Sequence, residues 1–388
     1  MEKNLKRVLA VSTIPATIYY FQYNQIDFLK KNGYSFYLVT SKDNWISVSE
    51  LKEKINCPVF TIPLSRNFSP FNDLISIIKL FFLIIKIKPH IVYYSTPKAS
   101  FIASISAFLC FIPFRIYSHR GVVYTNKLQI KYYPLKIIDF VCCLLSHKII
   151  VNSYSNLEFL KKNQILNKYK IGILGNGSSH GVDAINRFNP QKINSTKKYD
   201  LSINNRILYG FIGRIERDKG INDLIKSWAL VNKEIKNSVL LIIGPIIKSW
   251  DAISHETLSS IKRNNTTILL DPVNDIENYY AAMDIFVFPS YREGFPNVVL
   301  EASAMEIPTI TTDALGCRDS VVNLETGLIV PLGDIKKLAD AMIKLGSDNL
   351  LRSNLGKKAR QHVLKYYNPE LINKELLFLF NNREFIKK

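Results

Sequence analysis

Twice along this chain, short runs of β-branched and aromatic residues alternate with longer segments of helical spacing, and the alternation restarts near residue 206. That order restricts the fold to parallel sheets built from βαβ units, with helices covering both faces. In the first half the pattern predicts strands at 7–11, 35–40, 58–62, 90–94, 115–119 and 148–151. A helix is predicted over 20–32, with Gly33 as its left-handed cap. In the second half strands are predicted at 206–213, 239–243, 267–270, 285–289, 308–311 and 327–330. At 388 residues the chain suits two doubly wound domains of ordinary size. The predicted divisions are 1–186 for the first domain, 187–203 for a polar linker and 204–366 for the second domain. Residues 367–388 are predicted as a helix returning to the first domain. Ligands of such sheets bind outside the carboxyl ends of the strands, so two facing domains predict a shared central cleft.

The net charge of +19 is unevenly spread. Residues 1–190 hold 24 Lys/Arg against 9 Asp/Glu, whereas 191–388 hold 27 against 23. The first half therefore carries most of a field that attracts phosphates. Its lysines sit among apolar and aromatic runs, as in Leu80-Phe81-Phe82-Leu83-Ile84-Ile85-Lys86-Ile87-Lys88 and Lys131-Tyr132-Tyr133-Pro134-Leu135-Lys136. That mixture predicts peripheral contact with an anionic membrane. No basic groove-entering motif is present, so nucleic acid is not an expected partner. The most apolar windows, near 74–87 and 101–114, fall short of the roughly 20 residues that span a bilayer. The first residues do not read as a signal peptide. Five cysteines without a CxxC pair fit a reducing compartment. The expected location is cytoplasmic, peripheral on the inner face of the cytoplasmic membrane.

Two constellations in the second half carry chemistry. In Gly213-Arg214-Ile215-Glu216-Arg217-Asp218-Lys219-Gly220, a buried strand gives way to a helix with apolar positions at 221, 224, 225, 228 and 235. Arg214 and Lys219 reach one region from the two ends of the turn, a planar fork and a mobile ammonium suited to a diphosphate. Further on, Ser290-Tyr291-Arg292-Glu293-Gly294-Phe295-Pro296-Asn297 leads from a strand into a helix beginning near Val298, with Asn297 expected as its N-cap. Glu293 in the loop is placed to hold sugar hydroxyls. Glu301, in the helix, is placed to accept two hydrogen bonds from a ribose diol. Backbone amides from Gly294 through Phe295 and Pro296 to Asn297 border a phosphate site.

Gly-Arg-x4-Lys-Gly followed about 80 residues later by Glu-Gly-Phe-Pro-Asn-x3-Glu-Ala resembles family 4 of the retaining, GT-B-fold glycosyltransferases. The likeness continues through Pro308–Asp313, Gly316–Asp319 and Gly327–Pro331. Segments 11–17 and 175–183 resemble the bacterial members that build capsule or O-antigen repeats. The resemblance implies an α/β fold of two Rossmann-like, doubly wound parallel-sheet domains. It implies a nucleotide-sugar donor, UDP-linked by family frequency, and a polyprenyl-diphosphate-linked saccharide acceptor. Arg214 and Lys219 would neutralise the departing diphosphate, Glu293 would hold the transferred sugar, and His119 would touch it. Gly213, Glu301 and residues 294–297 would bind the donor. Thr13 and Arg120 would face the acceptor. No cofactor and no metal are expected.

Two departures stand out. The first loop reads Thr13-Ile14-Pro15-Ala16-Thr17 in place of a two-glycine turn, and either Asn176 or His180 could occupy the asparagine position of the expanded 175–183 segment. A sugar-nucleotide epimerase or hydrolase, and a non-catalytic subunit of a glycan-assembly complex, are the rival readings.

Overall fold

A computed structural model describes residues 5–42, 46–64, 69–124, 133–163, 170–247 and 251–386. The chain divides into two compact units, residues 1–180 with 370–388, and residues 181–369. The first unit holds a parallel sheet of β1 (Lys6–Val11), β2 (Tyr34–Thr40), β3 (Val59–Thr61), β4 (Ile91–Ser95), β5 (Phe114–His119), β6 (Lys148–Val151) and β7 (Ile171–Ile173). Its strand order is β3-β2-β1-β4-β5-β6-β7. The second unit holds β8 (Ile207–Ile212), β9 (Ser238–Ile243), β10 (Thr267–Leu270), β11 (Ile285–Phe288), β12 (Thr309–Thr312) and β13 (Gly327–Val330), in the order β10-β9-β8-β11-β12-β13. Both orders reverse direction beside their first strand, at β1/β4 and at β8/β11, which is where such sheets open a crevice.

The central strands are buried on both faces, so they read as unbroken apolar runs such as Val239-Leu240-Leu241-Ile242-Ile243. The helix Ile221–Glu234 seats Ile221, Leu224, Trp228 and Val231 in the second core, at spacings of three and four. The closing helix, Pro369–Asn382, puts Ile372, Leu376, Leu379 and Phe380 into one of the first unit's cores. There Tyr34 donates its hydroxyl to Asn381, and the Glu375 carboxylate accepts from the Gly175 amide.

Three features differ from the sequence prediction. The helix expected over 20–32 is two helices, Pro15–Phe21 and Tyr23–Lys31, broken at the buried, non-helical Gln22. β7 was not anticipated, since three residues with glycine in the middle leave no periodicity to read. The stretch 187–203 does not stand free as a linker. Phe188 and Ile203 lie in the second core, and the Arg360 guanidinium clamps the start of that stretch by donating to the carbonyl of Phe188 and to that of Ala184 just before it. The contact boundary accordingly falls at 180/181.

Candidate donor site and the buried network of the first unit

The second unit's switch point brings together the loops that follow β8 and β11. Gly220 makes their close approach possible. It sits at φ +73°, and a Cβ there would lie 2.0 Å from the Pro289 carbonyl oxygen. The Tyr291 amide donates to the Asp218 carbonyl over 2.8 Å, and Arg292 pairs with the Asp218 carboxylate at 3.1 Å. Within this clasp Lys219 Nζ donates to Glu293 Oε1 over 2.6 Å, joining residues 74 apart in sequence. The Ser290 hydroxyl lies 3.1 Å from the same carboxylate oxygen. Lys219 is buried, so this cation–acid pair is fixed in place before any ligand arrives. The Glu293 amide donates to the Leu315 carbonyl. Gly316, at φ +79°, packs where a Cβ would strike the Glu293 carbonyl at 2.3 Å. Ser290 and the 315–316 turn are site residues that sequence spacing did not reveal.

Arg214, at the other end of the first loop, is half exposed and pairs with the buried Glu216 at 2.5 Å. Burial pushes the Glu216 carboxyl up, Arg214 opposes that, and Asp218 reinforces it. Carboxylate oxygens of Glu216, Asp218 and Asp251 lie within 4.8 Å of one another, the one such acidic or metal-ligating group among the described residues. Arg214 and Arg292 each neutralise one member of it. Gly213 closes β8, its amide donating to the Ile243 carbonyl.

The helix after the second loop runs Asn297–Ala304. Asn297 is therefore its first residue rather than its N-cap. Pro296 takes the cap position, and Asn297 Nδ2 donates to the Gly181 carbonyl instead. The Phe295 ring is buried against Tyr367, so only its backbone remains for a ligand. Glu301 accepts from the Tyr280 hydroxyl over 2.9 Å. Burial pushes the Glu301 carboxyl up to about 7, a rise that Tyr280 and Arg187 limit and Glu277 adds to. The structure thus brings Lys219 and Glu293 into contact. Arg214 stands at the head of the same loop, and Glu301 stands in the helix that the second loop feeds.

In the first unit, His119 ends β5 and is 2% exposed. Its Nδ1 accepts from the Gly121 amide, which leaves Nε2 to donate to Asp139 at 3.2 Å. Asp139 also accepts from the Tyr117 and Tyr124 hydroxyls. Both nitrogens of His119 are engaged inside the unit, in a buried network with Asp139 and the Gly121 amide. Thr13 is buried at the β1/β4 switch point, its hydroxyl 2.7 Å from that of Thr96 and its amide donating to the same oxygen. Arg120 follows β5 with its guanidinium 5.4 Å from the Phe21 ring centroid and a buried Nε that has no hydrogen-bond partner. Burial, with Arg120 nearby, pushes His180 down to about 4. A neutral His180 faces Phe21 and accepts from or donates to the Ser179 hydroxyl at 2.8 Å.

Residues 194–362 match the family profile described as Glycosyl transferases group 1. The chain is 35% identical over 364 residues to the capsular polysaccharide biosynthesis glycosyltransferase CapM of Staphylococcus aureus, covering 94% of this chain and 93% of that one. It is 26% identical over 325 residues to an Escherichia coli UDP-Gal:alpha-D-GlcNAc-diphosphoundecaprenol alpha-1,3-galactosyltransferase, covering 80% of each. Among solved structures, Anabaena HepE in complex with UDP-glucose superposes with a TM-score of 0.77 at 17% identity, over 97% of this chain and 99% of that one.

Proposed function

The chain belongs to the group 1 glycosyltransferases and has their two-domain GT-B fold, and from that membership we propose which sugar carrier and which acceptor it uses. The donor is a UDP-linked hexose or N-acetylhexosamine. The acceptor is a polyprenyl-diphosphate-linked saccharide presented at the inner face of a membrane, and the product enters capsule or O-antigen assembly. The diphosphoundecaprenol acceptor and UDP donor named for the E. coli relative support this assignment, as does the positive first half of the chain.

The observation that carries the mechanism is the partly buried Lys219–Glu293 contact at the switch point. In the resting protein each cation is held by an acid, Lys219 by Glu293 and Arg214 by Glu216. An arriving diphosphate replaces those partners. Each charge-assisted hydrogen bond contributes roughly 1.5–3 kcal/mol, and the cations meet charge that grows as the sugar–phosphate bond breaks. Glu293, released from Lys219, turns to the sugar hydroxyls. Transfer proceeds with retention at the anomeric carbon. Arg120, whose guanidinium is incompletely satisfied, and Thr13 receive the acceptor in the first unit.

The direct test incubates the purified protein with a panel of UDP- and GDP-sugars and a short-chain prenyl-diphosphate saccharide, with product mass and anomeric configuration as readouts. Donor consumption without acceptor, and no transfer when acceptor is present, would overturn the reading in favour of a hydrolase or epimerase. Because Arg214 and Lys219 meet the leaving charge, chelation by EDTA is expected to leave the rate within about twofold. A loss of more than tenfold, restored by a divalent cation, would place a metal in the reaction.

Glu301 gives a pH signature. A diol-binding carboxylate must be ionised, and burial sets its transition near 7 in the empty site. One pH unit below that value only about a tenth is ionised. Donor KM is therefore expected to rise roughly tenfold between pH 8 and 6, and Glu301→Gln should show a high, pH-independent KM. A wild-type donor KM that stays flat over this range would refute the role.

A further inference from the structure

We infer that the helical layer formed by Pro70–Ile87 and Tyr133–Leu145 in the first unit is a docking face for an anionic lipid bilayer. The inference deepens the acceptor reading above and rests on it only for its purpose, that of meeting a lipid-borne substrate.

Pro70–Ile87 is apolar on two opposite sides. Ser76, Leu80, Ile84 and Ile87 are buried, the three apolar ones in a core, and Phe71, Leu74, Ile78, Phe82 and Ile85 form an outward stripe at spacings of three and four. All five are exposed, Phe71 by 75% and Phe82 by 64%. A helix apolar on all sides normally has both sides covered. The basic-aromatic run read from the sequence as a membrane element is therefore divided, half of it serving the core. Tyr133–Leu145 repeats the device with Tyr133, Ile137, Phe140 and Leu144 exposed at spacings of four, three and four. Lys131 and Tyr132, which precede it in the second run, lie outside the described residues.

The helix Pro97–Leu109 packs against both of these helices. Its small residues, among them Ala99, Ala103 and Ala107, are fully buried, so the two stripes flank it in one layer. Just beyond it Phe111 is 88% exposed.

Charge selects the partner. Lys79, Lys86 and Lys136 are exposed beside the stripes. The two acids of these helices are withdrawn, Asp73 into a buried pair with Lys98 and Asp139 into its own network. An apolar stripe bordered by cations alone suits insertion among anionic headgroups. No helix among the described residues is long and apolar enough to cross a membrane, so contact at this face lies in the plane of the interface. In the second unit the most exposed large apolar side chains are two to an element at most, as with Leu350 and Leu364 on the helix Asn349–Tyr366.

Flotation with phosphatidylglycerol-containing and phosphatidylcholine-only vesicles tests the face. Wild type is expected to float with the anionic vesicles at low salt, and Ile78→Glu/Phe82→Glu/Phe140→Glu to lose at least about tenfold in bound fraction. Lys79→Glu/Lys86→Glu, which disturbs no core contact, should lose a similar factor and most of the salt dependence. Both variants should transfer sugar to a water-soluble acceptor at the wild-type rate. Wild type that stays off the vesicles, or variants that float as it does, overturn the inference, as does an apolar face that mediates only self-association in gel filtration. Flotation without transfer to the soluble acceptor leaves the face standing and removes the acceptor reading instead.

Discussion

Lys219→Ala is expected to lower kcat by about 10²–10³-fold, the usual loss when one donor aimed at developing negative charge is removed. Lys219 is buried, the Gly220–Pro289 approach closes its turn, and the neighbouring cations Arg214 and Arg292 are held by Glu216 and Asp218. Deletion also leaves the Glu293 carboxylate without its 2.6 Å ammonium partner, next to the site where a diphosphate must settle. Two negative groups then face each other at short range, and binding suffers along with chemistry. If the ammonium acts mainly as the bond breaks, kcat falls further than donor KM rises. Lys219→Arg should not restore the rate, because a bulkier planar fork does not reproduce a buried ammonium that donates to a single carboxylate oxygen. Lys226, exposed on the helix that follows, is the control, and its alanine variant should stay within about twofold. Initial rates of UDP release and product formation measure all three. A Lys219→Ala enzyme within twofold of wild type would remove Lys219 from the mechanism.

The strand pattern was legible because central parallel strands are buried on both faces and advertise themselves as apolar runs. Predicted and observed strands agree to within one residue at nearly every end, for example 239–243 against Ser238–Ile243. Sequence spacing assigned Lys219 and Glu293 separate roles on one ligand and did not pair them; their contact arises because both follow strands that the doubly wound order places side by side at its centre. What stayed hidden depends on side chains that converge from distant segments without a spacing rule. Tyr280 reaches Glu301 across 21 residues. Thr96 meets Thr13 across 83. The polar composition of 187–203 suggested a free linker, yet Phe188, Ile193, Leu201 and Ile203 pack on the second core and an arginine from elsewhere holds the Phe188 carbonyl. Local polarity cannot report a clamp supplied from residue 360. His119 is the instructive case, because its place at a strand's carboxyl end suggested a ligand contact while its buried partner Asp139 could not be paired with it from the sequence.

Asp139 decides what His119 does. The carboxylate receives His119 Nε2 and the hydroxyls of Tyr117 and Tyr124, and all four side chains are buried. Burial alone would push its pKa up, but the pull of His119, with hydrogen bonds from His119 and both tyrosines, holds it below the usual carboxylate value. A lowered folded pKa means that the network's stabilisation is fully present above the ordinary carboxylate range and fades as pH falls through the lowered value. Asp139→Ala strands three buried donors at once and is expected to cost about 3–5 kcal/mol, lowering the melting temperature by on the order of 10 °C. Urea and thermal unfolding at neutral pH measure it. The gap between variant and wild type should narrow in strong acid. A cost below about 1 kcal/mol would mean that the network contributes little and that burial of the carboxylate is offset elsewhere. His119→Asn then separates the two roles. A ring that only anchors the strand end lets stability fall while the kcat of the surviving folded enzyme stays near wild type. A ring that also meets the sugar lets kcat fall by more than tenfold at temperatures where the variant is fully folded.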